Sequence, residues 1–343
     1  MQYSLSSRFQ GALIGAALGE ILGYHCAARQ AAGLPLNWSA VQLWGWTEIQ
    51  PDKLSWRGGE GAIAALQQML THNGTFPQIW LENGTGAKYW SVRAIATLPW
   101  MLFTYEKSTT LFQSGMLNGN PEAIAQPSAL EEDYLKLVAL AIAWSCQECP
   151  QPTQWLSQWS QQFGNNIAPS IASVLQTFQH LLTTASPITL VESSLKTLIP
   201  SLMDGISGQS PLDESHYREQ SQWIQAIAIA LYSFFSTPED FALSLLRSVR
   251  YSLNPQLSGA LVGAMSGTYN SLGGIPLNWW MQFQRSPQAH QALKTLWEMS
   301  YPYELQHRAD QLLALWSGIA FPTLSHLPKV AIAAPGVVSA IHQ

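Results

Sequence analysis

Two short stretches place polar residues where helices commonly present chemistry. Ser248-Val-Arg-Tyr-Ser-Leu-Asn-Pro255 precedes an apolar, glycine-spaced segment, and Arg57-Gly-Gly-Glu60 precedes a helical pattern from Ala62 to Leu70. The first offers Arg250, Tyr251, Ser252 and Asn254 but no acid; the second offers Arg57 and Glu60. A guanidinium pairs bidentately with carboxylate or phosphate, so such a set suits an anion or an internal ion pair. It does not suit a hard divalent cation, which takes oxygen ligands chiefly from carboxylates. Glu20 is the remaining acid that sits beside a glycine-rich helix pattern. Other chemistries find no constellation. The eight histidines form neither HExxH nor HxxxH, no GxSxG elbow occurs, and no GxGxxG follows a strand. Cys146-Gln-Glu-Cys149 is a lone CxxC without the two further ligands that zinc requires.

The elements that would position these residues read as helices throughout. Leu135 to Trp144, Ile171 to Leu182, Trp223 to Phe235, Phe241 to Val249 and Leu257 to Met265 have helical length and composition. Thr237-Pro-Glu-Asp240 marks a helix start, with the threonine as cap and the acids complementing the dipole. Alternating β-branched runs bounded by turn pairs are nearly absent. The expected fold is therefore all-α: a single-domain helical bundle over residues 1–320. Its C-terminal tail, 321–343, would pack on the domain or on a partner. Gly11, Gly15, Gly19 and Gly23 recur every four residues, which puts them on nearly one helical face. The pattern GALxGAxxG recurs at Gly11–Gly19 and at Gly259–Gly267, so two distant helices are expected to meet at close range in the centre.

Composition narrows the function. Charged residues make up 11% of the 343, against roughly 25% in an average soluble domain. With 15 tryptophans present, that low charge implies apolar surface, a common mark of partner sites. Trp38, Trp44 and Trp46, and Trp279 with Trp280, are the candidate interface anchors. The net charge of −5 disfavours nucleic acid as a partner. Three cysteines make no disulfide framework, which fits a reducing compartment, so a cytoplasmic location is expected. Apolar runs such as Trp223 to Phe235 fall short of the ~18–20 residues of a membrane span.

Arg8-Phe-Gln-Gly-Ala-Leu-Ile-Gly-Ala-Ala-Leu-Gly-Glu-Ile-Leu-Gly23 resembles the opening of the ADP-ribosylglycohydrolase family, typically R-F-x-G-A-L-x-G-x-A-x-G-D-A-L-G. Trp223 to Trp279 resembles its closing region, with GAL-x-GA followed by Ile275-Pro276 and a tryptophan. Asn83 to Arg93, with Pro99 beyond, is similar to the family's N-G-A-x-x-R-x-x-P, while roughly 105–220 matches poorly. The resemblance implies a pair of magnesium ions, held by acids of a T-D-D-T motif that opens an early helix and a D-x-D-T motif before GAL-x-GA. At the four matching acidic positions stand Gly58, Gly59, Arg250 and Ser252. No metal and no cofactor is therefore expected. The expected pocket comprises Glu20, Arg57, Glu60, Arg250 and Asn254, with Arg250 either bound to Glu20 or Glu60 or recruiting an anionic ligand. Three functions follow from this resemblance: a catalytically inactive relative that binds a protein as an assembly or regulatory subunit, a sensor of ADP-ribose or another nucleotide without turnover, and a metal-independent ADP-ribosyl hydrolase with Glu20 or Glu60 as base.

Overall fold

A computed structural model describes residues 3–33, 58–74, 90–107, 129–147, 169–184, 186–195, 197 and 214–318. In chain order the helices are α1 (Leu5–Ala31), α2 (Gly58–Thr71), α3 (Trp90–Ala96), α4 (Leu98–Phe103), α5 (Ala129–Cys146) and α6 (Pro169–Thr183). They continue with α7 (Glu214–Ser236), α8 (Phe241–Tyr251), α9 (Pro255–Asn270), α10 (Leu277–Arg285), α11 (Pro287–Trp297) and α12 (Pro302–Trp316). No strand forms among the described residues, so the all-α expectation holds.

The centre is built on the two glycine-spaced segments. Helices α1 and α9 run antiparallel, with Gly11 opposite Gly267, Gly15 opposite Gly263, Gly19 opposite Gly259 and Gly23 opposite Pro255. A Cβ added to any of those four α1 glycines would fall on a carbonyl oxygen of α9, so the backbones themselves are in contact. Close approach of this kind favours Cα–H···O contacts and admits no larger residue. Both helices start on short polar caps. The Ser4 hydroxyl accepts from the Ser7 amide at 3.2 Å, and the Asn254 side chain accepts from the Leu257 amide at 3.1 Å, with Pro255 at the first turn.

Other elements pack around this pair. Helix α12 is tied to α1 by Asp310, whose Oδ1 accepts from Ser6 Oγ at 3.0 Å and Gln10 Nε2 at 2.8 Å. The buried Arg8 Nη1 donates to the Ser145 and Cys146 carbonyls, each at 3.0 Å, joining α1 to the C-terminal end of α5. Helices α7 and α8 lie against α9, and α2 packs mainly on α3 and α11. Among the described residues, α1 is the one helix long and apolar enough by composition to cross a membrane, yet most of it is buried within the bundle.

The start of α8 differs from the expectation. Asp240, not Thr237, is the cap: its Oδ1 accepts from the Leu243 amide at 2.9 Å. Thr237 instead turns back, donating to the Ser233 carbonyl at 2.9 Å and pairing with the Ser244 hydroxyl at 2.8 Å. Both residue types can cap, and the Ser233 carbonyl at the end of α7 takes the threonine first. Trp38, Trp44, Trp46, Arg57, Cys149 and the tail 321–343 lie outside the described residues.

Candidate functional site

Glu20 sits midway along α1 between Gly19 and Gly23, the two glycines whose backbone meets the start of α9. It is completely buried. Helix α2 begins at Gly58, and its first two amides point at this carboxylate: Gly58 N donates to Oε1 at 3.2 Å and Gly59 N to Oε2 at 3.1 Å. The first N–H groups of a helix have no partner within it and carry its positive dipole end. A carboxylate from another helix satisfies both at once. Gln256 in the first turn of α9 adds a longer contact, Nε2 to Oε1 at 3.4 Å.

Burial pushes the Glu20 carboxyl up to about 8, against the opposing pull of the hydrogen bonds from Gln256, Gly59 and Gly58. Desolvation prevails because none of these donors carries a formal charge. The Trp297 indole also lies close enough to favour the carboxylate slightly, although its Nε1 reaches no acceptor with hydrogen-bonding geometry.

Trp297, the last residue of α11, is fully buried against the first turn of α2. A Cβ built on Gly59 would overlap the Nε1, Cδ1 and Cε2 atoms of that indole. The space that any side chain at position 59 needs is thus filled by tryptophan. Glu60 follows, half buried in the same turn.

The second polar stretch is a tight connection between α8 and α9. Arg250 and Tyr251 end α8, Ser252 is its C-cap, and Asn254 caps α9. Ser252 is buried, and its Oγ accepts from the Asn254 amide at 3.1 Å. The buried Gln225 of α7 clamps this turn: its Nε2 donates to the Tyr251 carbonyl at 3.0 Å, and its Oε1 accepts from the Leu253 amide at 2.8 Å. Arg250 is exposed and lies over the Tyr251 ring, 5.4 Å from its centroid. Among the described residues, the hydrogen bonds to Glu20 come from amides and none from a guanidinium.

The structure therefore brings Glu20, Gly58 and Gly59 into direct contact, with Glu60 on the same turn. It places Asn254 in a capping role and Arg250 on the surface. Of the tryptophan pair, Trp279 is buried against Phe241 and Trp280 is half buried. Sequence reasoning missed Trp297, Gln256 and Gln225. A glycine at the start of a helix, where a side chain is expected, signals that something else fills the space, but nothing local says which residue.

No curated protein matches the chain. The family model for ADP-ribosylglycohydrolase matches residues 134–306, half of the chain, which runs from within α5 through Gln225, Ser252 and Trp297 into α12. With the helical fold and the paired GAL-x-GA helices at its centre, the chain belongs to the ADP-ribosylglycohydrolase family.

Proposed function

We propose that this chain is a catalytically inactive member of its family that works by binding another protein, as an assembly or regulatory subunit. The observation that carries this reading is Trp297, whose indole fills the side-chain position at residue 59 while the amides of residues 58 and 59 are committed to Glu20. The residues present do not fit a dinuclear magnesium centre. Two such ions need several carboxylate oxygens. Gly58, Gly59, Arg250 and Ser252 offer none, and both Glu20 oxygens already accept backbone hydrogen bonds. Among the described residues, no group of three or more metal-binding side chains forms. Without an electrophile, a lone carboxylate base forgoes the electrostatic stabilisation on which most of the rate depends.

The protein-binding half rests on surface character. Leu277 is 71% exposed and Tyr303 60%, and the Tyr301 and Tyr303 rings stack on each other in the open, at 5.5 Å. The Tyr301–Tyr303 pair and Leu277 are the exposed apolar side chains on which this half of the reading rests. The test pairs an ADP-ribose hydrolysis and thermal-shift assay with magnesium against isolation of the native complex. No turnover, no magnesium-dependent shift and one stoichiometric protein partner are expected. Magnesium-dependent turnover sinks the reading. A thermal shift with ADP-ribose but no turnover replaces it with a nucleotide sensor, and turnover without magnesium points to a metal-independent hydrolase.

A further inference from the structure

Helix α8 turns one face into the bundle through Phe241, Ser244, Leu245, Ser248 and Val249. The opposite face carries a mixed set of side chains. Leu243 is 43% exposed, Leu246 and Arg247 are half buried, and Arg250 is exposed. Residues three and four apart share a helical face, so these four form one stripe along the helix. Glu239 and Asp240, both exposed, stand at its N-terminal end. The order along the stripe is therefore acid, leucine, arginine. The helix dipole accounts for acids at the start and arginines at the end. It gives no reason for two leucines on the outward side between them.

That order is self-complementary. In a two-fold pairing, residue i of one copy meets residue j of the other, and j meets i. Ser244 and Leu245 mark the middle of the stripe, with Leu243 and Leu246 equally far to either side and Glu239 and Arg250 at matching ends. Laid antiparallel on a second α8 about that middle, Leu243 faces Leu246 of the second copy and Glu239 faces its Arg250, each contact being made twice. A parallel pairing instead sets Arg250 on Arg250 and Glu239 on Glu239, which like-charge repulsion disfavours.

We propose that the outer face of α8 is a self-association surface, and that its occupant is a second copy of this chain seated antiparallel, α8 on α8. Any other partner has to supply the same charges in reverse order around an apolar centre; α8 already does. Size sets the strength. A helix of 11 residues is about 16 Å long, and two of them bury less than the roughly 1,200 Å² at which stable interfaces begin. The association is therefore weak, micromolar or weaker, and falls with added salt. It does not depend on whether the chain hydrolyses or binds ADP-ribose, nor on the exposed Leu277, Tyr301 and Tyr303 serving a different protein.

Sedimentation velocity of the full chain from roughly 1 to 500 μM reads the association directly. The mass is expected to rise from the 37.8 kDa of one chain towards twice that value. Arg250→Glu and Glu239→Arg change exposed residues and are expected to melt close to the wild type. Each alone sets like charges against each other at both ends and is expected to weaken the association by about tenfold or more. An equal mixture of the two is expected to restore it, because each copy then carries one sign at both ends and meets the opposite sign on the other. The mass of one chain at every concentration overturns the proposal, as does a dimer that neither variant weakens or a mixture that restores nothing. A chain that stays single but binds a different protein, and loses it in Arg250→Glu, also overturns it and assigns the face to that protein.

Discussion

Replacing Gly59 by alanine inserts one methyl group where the Trp297 indole already stands. Neither side yields easily, since Gly59 begins a helix held by Glu20 and Trp297 is fully buried. Overpacking of a closed core costs about 1–3 kcal/mol, and the overlap of three indole atoms puts Gly59→Ala towards the upper end. Trp297→Ala alone leaves a large cavity, at about 3–5 kcal/mol. If the indole is what excludes a side chain at position 59, the double variant is more stable than the sum of the single costs, because the new methyl enters the vacated space. The expected coupling is about 1–2 kcal/mol, and urea unfolding of the four proteins at one pH measures it. Additivity within about 0.5 kcal/mol would refute the claim that Trp297 closes this position. Gly59→Asp extends the cycle: it adds a second carboxylate beside Glu20 and is expected to be more destabilising than Gly59→Ala, with only its steric part rescued by Trp297→Ala.

Gly263→Ala is expected to cost about 3 kcal/mol or more, because its methyl falls on the Gly15 carbonyl and the two central helices must part. Gly273→Ala, whose methyl would meet nothing nearer than the Ser271 hydroxyl at 3.6 Å, is the near-neutral control in the same thermal-melt series. Ser271 has φ 61° and ψ −178°, a conformation that glycine adopts without strain, so Ser271→Gly should raise stability by about 1 kcal/mol even after losing the Oγ contact with the Gly273 amide. Gln225→Leu leaves the Tyr251 carbonyl and the Leu253 amide without their partner and is expected to lower stability by about 2 kcal/mol in chemical denaturation; an unchanged midpoint would show that the turn holds itself.

The fold was legible where a local pattern carried a long-range instruction. Glycines at every fourth position of Gly11–Gly23 leave a backbone groove that only another thin helix can fill, and the matching GALxGAxxG at Gly259 is that helix. Helix interiors read well from apolar content, while ends read less well, as with Thr237 and Asp240, because the choice of cap depends on a carbonyl of the preceding helix. The candidate site was legible as a loss. Missing acids at residues 58, 59, 250 and 252 can be seen in the letters alone. What replaced them could not be, because Trp297 and Gln225 arrive from helices far along the chain and neither sits in a recognisable motif. Helical periodicity does account for Arg250: Leu245, Ser248 and Val249 face inward on α8, and the next residue turns out to solvent.

The contact between α1 and α9 also has a cost in time. Helix α1 is made well before α9, and the backbone that faces its glycines is complete only once Asn270 has been made. At about 5–20 residues per second, the chain between Ala31 and Asn270 takes roughly 12–50 seconds to synthesise. Throughout that interval a 27-residue apolar helix, long enough to be mistaken for a membrane segment, waits without its partner. Truncation anywhere before α9 therefore leaves a fragment in which the glycine face of α1 has lost the backbone it packs against.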